Sequence, residues 1–493
     1  MSQTVDTATA VRTGLFIGGQ ERFTDEVLKV ADPGKPGVIV GEAASASPQD
    51  VADAVAAAKA AYPAWAALGA EGRAKAMADA IAGIADDRDE DARILSQENG
   101  KVRMEAWVDA LVFELRWNLA LSLKDEVETS KTLPAIPGAI PVNTEVAFQP
   151  LGVVTIIVPF NWPIAILGAS LPYALLAGNT VIIKPPPSTP LAMTRALSRA
   201  AERLPRGVLN VVTGNDAEMA PLIEHDDVAK VSFTGSVAGG RRIAQMAAGA
   251  LTRVTLELGG NDAAIIFDDA QLDDAAYDRL YQGVFDTAGQ VCMNAKRIYV
   301  HRSRFDEVVK GLSDRLERVV LGHGLSEATT MGPLHQQRQK EFVEELIAEA
   351  RAAGADVRQF GTLPPELPRG RFVRPALVLD PDPSLRVVTE EQFGPVAPII
   401  PFDTEEEAIT AADATWGGLC ASVWSADPAR VRRVADRLQV GVVFVNDHGA
   451  NRLDLRAPFG GMRASGYGRE QGLDGIRDFQ DSKAIGNLHV DAV

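Results

Sequence analysis

Cysteine is scarce in this chain, which has only Cys292 and Cys420 among its 493 residues. Two thiols cannot cross-link a chain of this length, so a disulfide framework of the kind found in small secreted domains is excluded. Residues 1–6 also lack the positively charged stretch, and the apolar stretch after it, that make a secretory signal. We therefore expect a cytoplasmic protein.

Positively charged residues are also fewer than negatively charged ones. The chain has 49 Lys and Arg residues against 66 Asp and Glu residues, which gives a formal net charge of −17. Proteins that bind nucleic acids or anionic membrane surfaces neutralise phosphate groups with clustered Lys and Arg side chains. The charge balance therefore predicts that neither nucleic acid nor membrane is a partner.

One uncharged segment, residues 151–178, is long enough to cross a bilayer. Pro159, Asn161, Pro163 and Pro172 interrupt it, and a proline inside a helix removes a hydrogen bond and clashes with the preceding turn. We interpret the segment as a buried strand, a tight turn and a buried helix.

The remaining composition is that of a globular enzyme, with 46% hydrophobic and 23% charged residues, and the length predicts two or three domains. From residue 153 to 267, and again from 297 to 445, stretches with strand character alternate with helical ones. This alternation predicts an α/β protein with two parallel, doubly wound sheets. Such sheets bind ligands beyond the carboxyl ends of their strands.

A Pro- and Gly-rich segment, residues 130–150, separates the N-terminal helices from the first alternating region. It contains an alternating strand at residues 144–148, and a strand-like tail at 484–490 has the pattern to pair with it. A projecting ribbon of this kind is typical of subunit contacts, so we predict a homo-oligomer.

We place the chemistry at Cys292, which ends the run Gly-Gln-Val-Cys at 289–292. A free cysteine often packs as a small hydrophobe, and we interpret Cys420, in a strand-like run, in that way. For Cys292 the preceding Gly-Gln turn leaves backbone N–H groups free to approach a reacting atom. Glu257 ends a predicted strand, so its carboxylate is placed to face the cysteine loop.

Three further motifs lie where strand ends should converge. Asn161 follows a buried strand and offers an amide N–H to an oxyanion, although a turn asparagine is the alternative. Lys184 ends the next strand, where its ammonium can reach a ribose hydroxyl or a phosphate, or can simply be solvated. Residues 233–240 lead from a strand into a helix whose N-terminus suits a pyrophosphate, although the G-x-G-x-x-G spacing is absent.

With Glu391 and residues 392–396 added, the sequence resembles the aldehyde dehydrogenase superfamily across nearly its whole length. The motifs that carry the resemblance stand in family order at 159–163, 178–185, 233–236, 257–260, 289–292, 391–396, 458–461 and 465–470. The resemblance implies a Rossmann-like cofactor-binding domain at 1–128 and 150–257, a catalytic domain at 258–460, and an oligomerisation ribbon and tail at 129–149 and 472–493. It also implies a homodimer or homotetramer.

The resemblance assigns the reaction and its residues. An aldehyde is oxidised to a carboxylic acid with NAD or NADP: Cys292 is the nucleophile that forms the thiohemiacetal and thioester, Glu257 the base for hydrolysis, and Asn161 an oxyanion donor. No metal is implied. The cofactor-binding residues would be Val158, Pro159, Phe160, Lys184, Pro187, Gly214, Phe233, Gly235, Ser236, Gly240, Leu258, Glu391 and Phe393. The small-molecule aldehyde would contact Trp162, Asp286, Val291, His448 and Arg452.

Departures from the family pattern bear on cofactor and substrate. Pro187 replaces a glutamate that many NAD-preferring members use to hold both ribose hydroxyls, so both cofactors remain open, with NAD favoured. Ser170 replaces a common lysine, and Asp286 replaces a common aromatic residue. The polar segment 446–453 then predicts a preference for aldehydes with hydroxyl or amino groups, unless it is an exposed loop.

Two alternatives to hydrolysis remain. One is a CoA-acylating enzyme, which would not need Glu257, and the other is a non-catalytic structural or binding protein on the same fold. The joint presence of Cys292, Glu257 and Asn161 favours the hydrolytic enzyme.

Overall fold

The computed structural model describes residues 10–136, 138–140, 142–216, 219–363, 365 and 370–486. The strands are β1 (Val11–Thr13), β2 (Leu15–Ile17), β3 (Gln20–Arg22), β4 (Val27–Ala31), β5 (Ile39–Ala44), β6 (Lys131–Leu133), β7 (Thr144–Pro150), β8 (Val153–Ile157), β9 (Thr180–Lys184), β10 (Leu209–Val211), β11 (Val228–Thr234), β12 (Arg253–Glu257), β13 (Asp262–Ile266), β14 (Ala295–His301), β15 (Asp356–Gln359), β16 (Ala376–Leu379), β17 (Val396–Phe402), β18 (Cys420–Trp424), β19 (Val442–Val445), β20 (Gly466–Tyr467) and β21 (Gln480–Gly486).

The helices are α1 (Pro48–Ala66), α2 (Gly69–Ala85), α3 (Arg88–Asn99), α4 (Arg103–Ser122), α5 (Pro163–Leu167), α6 (Leu171–Ala177), α7 (Leu191–Glu202), α8 (Pro221–Glu224), α9 (Val237–Gly249), α10 (Asp274–Phe285), α11 (Phe305–Leu316), α12 (Gln337–Ala352), α13 (Arg386–Thr389), α14 (Glu405–Asp413), α15 (Pro428–Ala435) and α16 (Gly472–Arg477). Short 3₁₀ turns include Asp286–Gly289 and Ala450–Arg452. The described part of the chain contains no helix long and apolar enough to cross a membrane.

The first sheet has the strand order β20-β12-β11-β8-β9-β10-β2-β3, with β12, β11, β8, β9 and β10 parallel. Every residue of β8 and β9 is buried, as expected for parallel strands that helices cover on both faces. The segment 151–178 therefore forms a buried strand, β8, and a turn, as predicted, but two short helices, α5 and α6, stand in place of the single predicted helix. The edge strands β2, β3 and β20 pair antiparallel and were not predicted as parts of this sheet.

The second sheet has the order β15-β16-β17-β14-β13-β18-β19, parallel except for β15. The sequence pattern grouped residues 263–267 with the first alternating series, but β13 lies in the second sheet, between β14 and β18. The chain thus passes from one sheet to the other directly after β12. Glu257, the last residue of β12, lies at this crossing.

A three-stranded ribbon has the order β21-β7-β6. The predicted pairing of tail and ribbon is present within one chain, with Gln480 opposite Pro150 and Gly486 opposite Thr144. The tail strand begins at Gln480, before the predicted start at 484, and residues 487–490 of that prediction lie outside the described residues. A further small sheet joins β1, β5 and β4.

Candidate active site

A cavity of about 240 Å³ lies where the two sheets meet. Cys292, Glu257 and Asn161 all line it, so the three residues predicted to carry the chemistry come together. Each stands at or close to the end of a strand: Asn161 follows β8, Glu257 is the last residue of β12, and Cys292 precedes β14. The other polar side chains in the lining are Arg116, Thr234, Asn451, Glu470 and Gln471.

The turn that carries Cys292 has an unusual backbone. Thr287, Ala288 and Gly289 have φ values of 54°, 54° and 76° in succession, a region that side chains with a Cβ rarely adopt. A Cβ on Gly289 would lie 2.2 Å from the carbonyl oxygen of Gly394, so only glycine fits where the two motifs pack together. The Lys296 Nζ donates to the Gly289 carbonyl at 2.9 Å and holds the turn in place.

Two donors point to an oxyanion site beside the thiol. Asn161 Nδ2 donates to the Gln290 carbonyl at 2.9 Å, which orients the amide and leaves its second N–H for another acceptor. The Cys292 backbone N–H makes no hydrogen bond to a described residue. An amide N–H and a backbone N–H together are the usual donors to a tetrahedral oxyanion.

Burial determines the protonation of the two reactive groups. Burial, followed by the negative charges of Glu391 and Asp262, raises the pKa of Cys292 to about 12. Burial, followed by the charge of Glu470, raises the pKa of Glu257 well above its usual range. At neutral pH the sulfur is therefore a thiol, which needs a base to accept its proton as it attacks.

Glu257 is placed to act as a base. The side chain is 3% exposed, and neither carboxyl oxygen makes a hydrogen bond of ordinary geometry to a described residue. The raised pKa favours the protonated carboxyl, so Glu257 can accept a proton only after it has lost its own, and it is then a stronger base than an ordinary carboxylate. The free oxygens leave Glu257 able to bind and deprotonate a water molecule.

The predicted pyrophosphate region has the form that a dinucleotide requires. Ser236 caps the N-terminus of α9, where its Oγ accepts from the Gly239 N–H at 3.0 Å. A Cβ on Gly240 would lie 2.5 Å from Leu258, and a Cβ on Gly235 would lie 2.6 Å from the ring of Phe233. The glycines thus allow close packing beside a helix end whose N–H groups and dipole attract phosphate. These residues fit a dinucleotide.

The predicted nicotinamide side lies next to the thiol. Glu391 Oε1 accepts from the Gly260 N–H at 3.3 Å, and burial raises the pKa of Glu391 to about 7, opposed by Lys296. The Lys296 Nζ also lies 5.4 Å from the ring centre of Phe393. The ring of Phe160, in the turn after β8, meets that of Phe393 edge-on, with 6.1 Å between the centres.

The predicted ribose region has an acidic residue that the sequence analysis missed. Lys184 is 3% exposed at the end of β9, and its Nζ forms a close ion pair with Asp216. The Asp216 side chain is 82% exposed. Pro187 lies on the loop after β9, and Gly214 lies two residues before Asp216. Val158 and Pro159 directly follow the neighbouring strand β8.

Of the five predicted substrate residues, only Trp162 and Val291 line the cavity. His448 is a correction: its ring is 2% exposed and bonds to Ser422 Oγ at 2.8 Å and to the Met293 carbonyl at 3.0 Å. Burial lowers the pKa of His448 to about 3. The ring therefore holds two elements together and does not face the substrate.

Arg452 and Asp286 are also outside the lining. Arg452 Nε lies 3.4 Å from Asp447 Oδ1 on the surface. Asp286 Oδ2 accepts from Asn451 Nδ2 at 2.9 Å, so it reaches the cavity only through Asn451. Of the loop 446–453, the residues that line the cavity are Ala450, Asn451 and Leu453.

Three polar lining residues were missed by sequence reasoning: Arg116, Glu470 and Gln471. A signal for Arg116 was present, because it lies four and eight residues after Val112 and Val108, and this spacing repeats one face of a helix. Glu470 lies in the family motif at 465–470, but no function was predicted for it. Its carboxyl accepts from the Ser170 Oγ at close range, so the serine that replaces the family's lysine contacts this glutamate.

A sequence model of the aldehyde dehydrogenase family matches residues 21–485. The chain belongs to the aldehyde dehydrogenase family. Betaine aldehyde dehydrogenase of Rhizobium etli strain CIAT 652 is 36% identical over 462 residues, which cover 91% of each chain. Among solved structures, an NADP-dependent enzyme of E. coli is 32% identical with a TM-score of 0.91 and covers 98% of this chain and 99% of that one.

A second solved structure is betaine aldehyde dehydrogenase of Staphylococcus aureus in complex with NAD+. It is 30% identical with a TM-score of 0.90, and the match covers 98% of this chain and 97% of that one. These matches confirm the predicted aldehyde dehydrogenase fold. They also confirm the reaction class: the protein is an NAD(P)-dependent oxidoreductase that oxidises an aldehyde to a carboxylic acid.

Proposed function

We propose that Cys292 is the nucleophile of this aldehyde oxidation, that Glu257 is its general base, and that Asn161 and the Cys292 backbone N–H are its oxyanion donors. One observation carries the proposal: a single cavity contains a thiol, an oriented amide and a carboxyl group that makes no hydrogen bond of ordinary geometry to a described residue. Nucleophilic acyl chemistry requires these three groups together.

In the first half of the reaction, the Cys292 thiol transfers its proton to a base as the sulfur adds to the aldehyde carbon. Asn161 and the Cys292 N–H stabilise the charge on the oxygen of the thiohemiacetal. A nicotinamide held beside Cys292 near Glu391 and Phe393 would supply the hydride acceptor for that carbon. The carbon–oxygen double bond then re-forms, and the product of this half is a thioester on Cys292.

In the second half, Glu257 accepts a proton from water as the water oxygen adds to the thioester carbon. The same donors stabilise the second oxyanion. The carbon–sulfur bond breaks, the sulfur regains a proton, and the carboxylic acid leaves. Glu257 separates this reaction from CoA acylation, because an enzyme that transfers its acyl group to CoA has no need to activate water.

For the cofactor, we propose that the first sheet and its helices hold NAD in preference to NADP. Lys184 and Glu391 would bind ribose hydroxyls, and the N-terminus of α9 would bind the pyrophosphate. Asp216 supports the preference, because its carboxylate beside Lys184 repels a 2′-phosphate and can accept a hydrogen bond from a hydroxyl. Asp216 would thereby supply a carboxylate in this region, where Pro187 stands in place of the glutamate of many NAD-preferring members.

The second sheet would supply the catalytic domain, and the ribbon β21-β7-β6 the subunit contact of a homodimer or homotetramer. The outer edges of β6 and β21 have no strand partner among the described residues, and unpaired edges are suited to pairing across subunits. We propose a cytoplasmic location, which suits a chain whose two cysteines are both free thiols.

The test is NADH or NADPH formation from a panel of aldehydes, with NAD or NADP, in the presence and absence of CoA. We expect turnover without CoA and a higher kcat/KM with NAD. A strict requirement for CoA would contradict the hydrolytic mechanism. Absence of turnover with every aldehyde, in folded protein that binds the cofactor, would contradict the function itself.

A further inference from the structure

Arg116 is an unusual feature of the cavity wall. It lies on α4, is 9% exposed and lines the same cavity as Cys292. Its Nη1 donates to the Ala165 carbonyl at 2.5 Å, but its buried Nε has no hydrogen-bond partner in the described part of the chain. Among the described residues, no carboxylate comes within ion-pair distance of the guanidinium.

A buried cation without a counter-ion is costly, because desolvation removes the water that would stabilise it. Burial lowers the pKa of Arg116, and Glu470 is the largest influence in the opposite direction. Glu470 nevertheless makes its hydrogen bond to Ser170 rather than to Arg116. Arg116 therefore has no carboxylate paired directly with its guanidinium, and its Nε remains without a partner in the described part of the chain.

Gln471 adds a second unsatisfied group to the same wall. Its side chain is 0% exposed, and neither its Nε2 nor its Oε1 has a partner among the described residues. The residue has φ of 66°, a conformation that costs free energy in a residue with a Cβ and that often accompanies binding sites. A buried amide that lacks both partners is rare in a folded protein.

We propose that Arg116 and Gln471 form a subsite for the anionic end of the substrate, so that the enzyme oxidises aldehydes that carry a carboxylate. This inference rests on the proposed function, because the aldehyde end must reach Cys292. The guanidinium supplies only donors and a positive charge, and a carboxylate both accepts from it and neutralises it. The Gln471 amide can donate to the same group.

The remaining lining indicates what joins the two ends of the substrate. Most of it is apolar, and Val112, Ala165, Ile166 and Ala169 lie near Arg116 in the lining or on the adjoining helices. A hydrocarbon linker between the aldehyde and the carboxylate suits this surface. The polar segment 446–453 had predicted a preference for aldehydes with hydroxyl or amino groups. Few polar side chains line this part of the cavity to bind such groups along the linker.

The subsite also makes a prediction for aldehydes with a cationic end, such as betaine aldehyde. Betaine aldehyde carries a quaternary ammonium group, and aromatic faces recognise such cations. In this cavity the aromatic lining residues are Trp162 and Phe459, and the guanidinium of Arg116 repels a second cation. A trimethylammonium aldehyde should therefore be a poor substrate.

The experiment compares kcat/KM for linear ω-carboxy aldehydes, for alkanals of the same chain length and for a trimethylammonium aldehyde. We expect the wild type to prefer the carboxy aldehyde. Arg116→Met should lower its kcat/KM by about 10²-fold, mainly through KM, and leave the alkanal nearly unchanged. Arg116→Lys should restore part of the loss. Arg103→Met, at an exposed arginine on the same helix, is the matched control.

A second measurement needs no turnover. Calorimetry should show that the dicarboxylate product binds the wild type more tightly than the monocarboxylate of the same length, and that Arg116→Met removes the difference. Equal binding of the two products by the wild type would overturn the subsite, as would an equal loss of kcat for carboxy aldehyde and alkanal. The latter would show that Arg116 acts through Glu470 and Glu257. If no aldehyde is oxidised but the binding difference is present, the proposed function fails and the subsite stands.

Discussion

The two sides of the Cys292 cavity differ in how the chain builds them. The catalytic side consists of residues at strand ends, Asn161 and Glu257, and of the strained turn before β14. A second part of the lining, here called the wall, comes from α4 and from the segment after β20, which carry Arg116 and Gln471. The residues of the catalytic side match motifs of the family, whereas the proposed carboxylate subsite lies on the wall. If both proposals hold, reaction and substrate preference are determined by separate elements.

The largest expected effect concerns the two cysteines. Cys292→Ala should lower kcat by about 10⁴-fold or more, because it removes the nucleophile, and cofactor binding should be retained. Cys420→Ala is the matched control: this thiol is 1% exposed in β18 and packs in the same apolar cluster. Steady-state kinetics and cofactor titration of both variants provide the check. An equal loss of kcat in Cys420→Ala would contradict the assignment of Cys292 as the nucleophile.

Loss of one oxyanion donor should have the next largest effect. Asn161→Ala should lower kcat by roughly 10²–10³-fold, as expected when one preorganised donor is removed. Because the donor belongs to the catalytic side, the loss should be the same for carboxy aldehydes and alkanals. A loss confined to one substrate class would show that the two sides are not independent.

The smallest expected effect is a shift in pH dependence. Glu257 acts as a base only when deprotonated, so activity should rise with pH through its raised pKa. The charge of Glu470 contributes to raising that pKa; Glu470→Gln should therefore lower it and move the acid limb of the kcat profile to lower pH. The measurement is the direction in which the acid limb of kcat against pH moves between wild type and variant. A shift to higher pH would contradict the assignment of this limb to Glu257.

The catalytic side could be predicted because the order and direction of the strands determine where its residues lie. Parallel strands end at one edge of a sheet, so Asn161, Lys184 and Glu257 had to lie near one another once the strands were recognised. Gly289 could also be interpreted from the sequence, because a glycine before Cys292 indicates a tight turn. The start of α1 is also encoded locally, because Ser47 caps the helix and Pro48 stands in its first turn.

The wall could not be predicted in this way. An arginine on a helix is usually solvated, and only tertiary packing against Ala165 buries Arg116. The two-residue strand β20 is too short for a sequence pattern, although it positions residues 466–471 beside β12. The prediction that His448 contacts the substrate was wrong for the opposite reason. As a polar residue in a loop it was expected to face the cavity, but its ring is buried and bonds to Ser422 and to the Met293 carbonyl.

The most direct test of the central claim is intact-protein mass spectrometry of Glu257→Gln after reaction with an aldehyde and NAD. The amide keeps the size of the side chain but cannot accept a proton from water, so hydrolysis should become the slow step. The account predicts that the acyl group accumulates on the protein as a thioester, that peptide mapping places it on Cys292, and that wild type shows little of it. Absence of an acyl adduct while the variant still turns over, or an adduct on Cys420, would contradict it.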